Sequence, residues 1–336
     1  MKSTITSIIT IIVAILILVG CTQTPQQAEI PTALPSETPA PTNTTRPASA
    51  QDTPTPAPQP TAADTETPLP TDIPLPTPTF DPADWRDMPV IPETISETTR
   101  TIYKMGQLMG NDPHAFSKVG DCNSTLPYFL ADFDNPEVYA LGPYADLQDT
   151  ITYFEGSFER ESLATKIGLS SGAALAVLWA DWKSCSSSET PLDCEYRVQN
   201  PSFAIISIGT NDVTDKTAAV YFEDKMRRVL DHTIGKGIVP IIATKADNAE
   251  GNHYINETLV KLAVEYQLPL WNYWRAVQPL PNHGLQEDKV EHLTMPGDLP
   301  LLCNFEDPAN LENAFTLRNL TALQVLDVVR KGVTLE

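Results

Sequence analysis

The sequence predicts an α/β fold: three layers, α/β/α, around a central parallel sheet of the flavodoxin-like kind. Three observations carry this. Phe203–Ile208 and Val239–Thr244 are short, nearly continuous apolar runs, the pattern of strands covered on both faces. The stretch between them, Lys216 to Gly235, sets Tyr221, Phe222, Met226, Val229 and Leu230 at roughly helical spacing. A second helical stretch, Tyr254 to Tyr266, then leads to a third run, Leu268–Tyr273. Strand, helix, strand, helix, strand at these lengths implies right-handed crossovers and a parallel sheet.

In chain order, the first segment is an address. Met1-Lys2 supplies a positive start, and Ser3 to Gly20 is uncharged and rich in Ile, Val and Leu. Its end, Leu18-Val19-Gly20-Cys21, resembles the lipobox of prokaryotic lipoproteins, in which the cysteine is acylated and becomes the mature N-terminus. Residues 1–20 are therefore expected to be a lipoprotein signal peptide and Cys21 the lipidation site. The alternative is a plain transmembrane anchor. Both export the rest of the chain, and the expected location is the outward face of the cell envelope, held to the membrane by lipid.

Residues 21–87 read as a tether. Pro, Thr, Ala and acid nearly alternate, as in Thr53-Pro54-Thr55-Pro56-Ala57-Pro58; about half of the 31 prolines fall in this stretch. Too little apolar surface is present to offset the entropy of ordering, and proline density favours a semi-stiff spacer. A proline-motif ligand would need aromatic or basic anchors beside the prolines, and between Thr22 and Trp85 the one basic residue is Arg46, so the spacer reading prevails.

Residues 88–336 have the texture of one folded domain, long enough for a sizeable core. A net charge of −21, from 22 basic and 43 acidic side chains, argues against nucleic acid as a partner. One apolar run of membrane length excludes a polytopic protein. No cofactor motif stands out, and a monomer is expected. The last helix is expected over Leu320–Val329.

In parallel sheets chemistry collects at the carboxyl ends of strands. A short strand around Ser117–Val119 is followed by Gly120-Asp121-Cys122-Asn123-Ser124, and Phe203–Ile208 by Gly209-Thr210-Asn211-Asp212. Asp288-Lys289-Val290-Glu291-His292-Leu293-Thr294 precedes the last helix. In order and spacing these blocks resemble those of the SGNH (GDSL-type) hydrolase superfamily, with Gly168-Leu169-Ser170-Ser171-Gly172 as a looser second block. The resemblance spans about residues 96–336. It implies acyl transfer on a small-molecule or carbohydrate ester: Cys122 in the position of the nucleophilic serine, His292 as base, Asp288 as its orienting acid, and Gly168 and Asn211 as oxyanion donors. Asp121 and Asp212 flank that site as substrate contacts. Two positions depart from the family pattern. A cysteine replaces the serine, and Asp288 lies four residues before His292 where the family has three, so that Glu287 or Glu291 also qualify.

Cys122 admits three roles: nucleophile, half of a disulfide, or bystander. With Cys21 lipidated, four cysteines remain in an oxidising setting. Cys185 and Cys194 bracket a short loop and are natural partners, which leaves Cys122 with Cys303. Neither pair has metal-ligand spacing, so no metal is expected. The competing function, supported by the missing serine, is an inactive surface module that binds glycan or a protein through the same cleft. Thr244-Lys245-Ala246-Asp247 either contacts substrate or merely begins a turn. Trp182, Trp271 and Trp274 line either a sugar cleft or the core.

Overall fold

The computed structural model describes residues 82–213, 218–287 and 289–334. The expectations for the signal peptide, for Cys21 and for the body of the tether lie outside the described residues, as does Asp288. Among the described residues no helix is long and apolar enough to cross a membrane.

Among the described residues, eight α-helices and six strands follow in order: α1 (Glu97–Met109), β1 (Asp112–Gly120), α2 (Gln148–Tyr153), α3 (Ser171–Ala174), α4 (Pro191–Gln199), β2 (Pro201–Ser207), α5 (Ala218–Gly235), β3 (Val239–Ala243), α6 (Tyr254–Glu265), β4 (Leu270–Trp271), α7 (Tyr273–Val277), β5 (Leu285–Gln286), β6 (Lys289–Leu293) and α8 (Ala314–Thr334). The fold is mixed α/β, and β1-β2-β3-β4 form one sheet, parallel at every pairing. Helices α4, α5 and α6 come from the crossovers. Helices α1 and α8, from the two ends of the domain, pack on each other. That arrangement is compatible with three layers.

Local chemistry explains the boundaries. Ser96 caps α1 by accepting from the Thr99 amide at 3.0 Å, and Gly110 ends it at φ +87°, a conformation open to glycine. Thr190 and Asp193 form a reciprocal capping box at the start of α4, with Pro191 in its first turn. Pro240 sits inside β3 without breaking the ladder. The amides of Ile242 and Thr244 donate to Pro269 and Trp271. Two residues earlier, an amide at position 240 would point to the same side before β4 begins.

One connection departs from sequential order. Beyond the outer edge of β1, Thr165 pairs with Gly120 as an isolated parallel bridge; the Gly120 amide donates to Ala164 and its carbonyl accepts from Lys166, both at 3.1 Å. The chain thus leaves β1 to one side, touches the sheet once, and returns across it to β2. That reversal places a crevice at the carboxyl end of β1, where ligands gather in doubly wound folds.

Two boundaries shift. Trp85, assigned from sequence to the tether, is wholly buried, its ring 4.8 Å from that of Trp274 and 5.8 Å from that of His253. The folded part therefore begins upstream of Met88, because this indole closes the gap over α7. The last helix is longer than expected, and segment 289–293 ahead of it is a strand of the β5–β6 hairpin.

Candidate active site

Two of the chemistry-bearing blocks emerge from the carboxyl ends of strands, β1 and β2. At the end of β1, Gly120 is required by space: a Cβ there would fall 2.3 Å from Ser124 Oγ and 2.7 Å from the Ser207 carbonyl. The chain turns at once into a single 3-10 turn, Cys122–Ser124, capped by Asp121, whose Oδ1 accepts from the Asn123 amide at 3.0 Å. At the end of β2, Gly209 adopts φ +146°, and a Cβ would meet Ile255 at 2.6 Å. The glycines of both blocks are thus fixed by packing.

Beneath these turns lies a buried charged cluster. Arg318, 2% exposed on α8, donates to Ser207 Oγ at 2.9 Å and to Ser124 Oγ at 3.3 Å. Its guanidinium lies 4.5 Å from the Phe129 ring centroid, 5.0 Å from Trp271 and 5.1 Å from Tyr273. Among the described residues its Nε has no hydrogen-bond partner. Lys245 Nζ donates to Asp247 at 2.6 Å and to Glu250 at 2.7 Å, and Thr210 donates to Asp247 at 3.1 Å. Asp121, 3% exposed, is pushed up to about 6, first by burial and further by Asp247; the Asn123 amide, Arg318 and Thr210 oppose the rise. A cavity of about 10 Å³, roughly the space of one water, lies between Asp121, Thr210, Lys245, Asp247 and Arg318. Lys245 and Asp247 thus belong to the strand-end cluster and do not merely begin a turn.

Blocks two and three meet. Asp212 accepts from the Ser171 amide at 3.0 and 3.1 Å and from its hydroxyl at 2.6 Å, and Asn211 Nδ2 donates to the Leu169 carbonyl at 3.2 Å. Burial holds the Asp212 carboxyl above its ordinary value, against those Ser171 hydrogen bonds. Gly168, at φ +81°, begins the turn that presents Leu169 and Ser171. Asp212 thus clasps the two turns together, both of its oxygens accepting from Ser171.

Cys122 is half-buried. Its thiol is raised above the ordinary value by burial and then by the Asp121 charge, with Arg318 pulling the other way. His292 lies in β6 beside Leu293. Leu293 lines the small cavity, and His292 is half-buried.

The cysteine pairing holds in one half. Cys185 and Cys194 are bonded, with Cα atoms 5.4 Å apart. Cys122 and Cys303 are separate thiols, contrary to expectation. The segment around Cys303 is drawn elsewhere, since its carbonyl accepts from Ala140 and Asn304 bridges to Ala140. The Cys303 thiol is wholly buried beside Asp132 and raised well above its ordinary value. Among the described residues, Cys185, Glu189 and Cys194 are the one grouping close enough to share a metal, but its sulfurs are bonded to each other and Glu189 holds Arg197.

Sequence reasoning missed Arg318, because an arginine on an amphipathic helix normally reads as solvent-facing. Trp271 proves to be core, Trp274 is half-buried against it, and Trp182 is exposed. A larger groove of about 490 Å³ lies between Met88–Ser96 and the α6–β4 turn, at the amino end of β4 and so away from the cluster. No model of a known protein family matches the chain, and no curated protein matches it.

Proposed function

We propose that this domain is an SGNH-type ester hydrolase, lipid-anchored through Cys21 and carried outward from the envelope on its proline-rich tether. The reading rests on one observation: the Gly168–Ser171 turn and the Gly209–Asp212 turn are tied together by Asp212 and Asn211 beside the β1 end that carries Cys122. In the proposed reaction Cys122 Sγ attacks the acyl carbon while His292, oriented by Asp288, removes the thiol proton. The Gly168 amide and the second N–H of Asn211 receive the developing oxyanion. The proton passes to the leaving alcohol, and water then cleaves the thioester, returning acid product and free thiol. A thiol held above its ordinary value needs such a base at the moment of attack, as a serine does.

A second reading, an outward-facing module that binds without catalysis, is favoured by that same raised thiol and by Asn211 being already engaged at Leu169. The test is turnover of p-nitrophenyl acetate by the full-length protein. Cys122→Ala and His292→Ala should each lower it by about 10²-fold or more. Unchanged turnover in either variant overturns the mechanism, and a wild type without turnover leaves the binding module.

A further inference from the structure

Beside Gly168 lies a second concavity, about 350 Å³, lined by Glu161, Thr165, Lys166, Trp179, Asp181 and Ser184. A Cβ placed on Gly168 would lie 3.7 Å from the Trp179 ring, so the groove adjoins the turn to which the oxyanion role is assigned. Two consecutive residues of α4 secure both of its walls. Cys194 is bonded to Cys185, whose amide donates to the Asp181 carbonyl at 2.8 Å, and so pins the 181–185 wall. Glu195, wholly buried, pairs with Arg160 and accepts from the Leu163 amide at 2.8 Å, and so pins the 160–166 wall. The same stretch is also tied to β1 through Ser162, which donates to the Lys118 carbonyl at 2.6 Å. A surface concavity with both walls fastened to one helix is preorganised, and ordering costs little when a ligand arrives.

Its chemistry is mixed in a particular way. Trp179 offers an aromatic face, with the Lys166 ammonium 5.7 Å from the ring centroid. Asp181, held in its charged form by the Ser184 hydroxyl and the Lys183 amide, offers acceptor oxygens, and Glu161 adds a second carboxylate. An apolar ligand would strip water from three charges without replacing its hydrogen bonds. An anion would meet two carboxylates for one ammonium. A pyranose ring meets all the demands: its C–H face stacks on the indole, and its hydroxyls donate to the carboxylates and accept from Lys166. We propose that this groove binds a neutral sugar ring of a glycan. The assignment deepens the hydrolase reading and rests on it only for where an acyl group on that sugar would lie, at the adjoining Gly168 turn.

The test is calorimetric titration of the full-length protein with cellohexaose, xylohexaose, mannohexaose and chitohexaose. At least one should bind. Trp179→Ala should weaken that binding tenfold or more; Lys166→Gln and Asp181→Asn, which keep the indole, should each weaken it severalfold. Absence of binding by all four sugars overturns the proposal, as does unaltered affinity in Lys166→Gln and Asp181→Asn. Turnover of p-nitrophenyl acetate without sugar binding removes the groove and leaves the hydrolase; sugar binding without turnover removes the hydrolase and supports the groove.

Discussion

Asp212 grips Ser171 twice, through the backbone amide and through the hydroxyl, across 41 residues of chain. The two residues belong to turns that this carboxylate ties at one rim, together with Asn211 at the Leu169 carbonyl. Each is buried enough that a lost partner leaves a polar group dry. A double-mutant cycle with Asp212→Ala and Ser171→Ala should show a coupling of about 1–3 kcal/mol in urea unfolding. Additive effects would mean that the turns are held by something else.

Asp121 should make stability fall as pH rises through weak acid. Its folded value of about 6 stands above the unfolded value of 3.8, so the native state holds an extra proton between them. The stabilising contribution of the protonated form is full below 3.8 and lost as pH rises through about 6. A gap of roughly two units corresponds to about 3 kcal/mol at neutral pH. Asp121→Asn keeps an oxygen for the Asn123 amide and removes the buried charge. It should match the wild type near pH 3.5 and exceed its stability at pH 7, as measured by urea midpoints at both pH values. Equal stability at pH 7 would show that Arg318 already neutralises this carboxylate.

The sheet was legible where two strands are buried on both faces, because Phe203–Ile208 and Val239–Thr244 then have no polar face to confuse the period. The Gly-Thr-Asn-Asp turn was legible for the same reason, as a break directly after such a run. What escaped notice depends on partners distant in sequence. Arg318 is intelligible only beside Phe129, Trp271 and Tyr273, and Trp85 only beside Trp274 and His253. Thr165 touches the sheet through a single bridge, too short to leave a periodic signature. The Cys122–Cys303 pairing came from parity alone. Parity counts thiols without knowing that Ala140 draws the Cys303 segment to itself.

The two free thiols should differ in reactivity. Cys122 is half-buried and raised, whereas Cys303 is wholly buried and raised further. With iodoacetamide the native protein should label Cys122 slowly at neutral pH and faster as pH rises past the ordinary thiol range; Cys303 should react only after unfolding. Peptide mapping without reduction should recover Cys185 joined to Cys194 and the other two unpaired. Rapid labelling of Cys122 at neutral pH would show a thiolate already formed, and a mechanism needing no base at attack.

Arg318 sets the electrostatics of the rim from below. Its guanidinium lowers both Asp121 and Cys122, against the burial that raises them. Arg318→Met retains much of the side-chain volume among the three rings and removes the charge. Carboxyl titration followed by NMR should then place Asp121 above about 6, and iodoacetamide labelling of Cys122 should need still higher pH. The same substitution leaves the Ser124 and Ser207 hydroxyls without their donor, at a cost of about 1–3 kcal/mol in stability. Since desolvating a guanidinium is itself expensive, part of that loss is offset, and the titration shifts are the sharper measurement. An Asp121 value that stays where it was would mean that Lys245, through Asp247, controls the cluster instead.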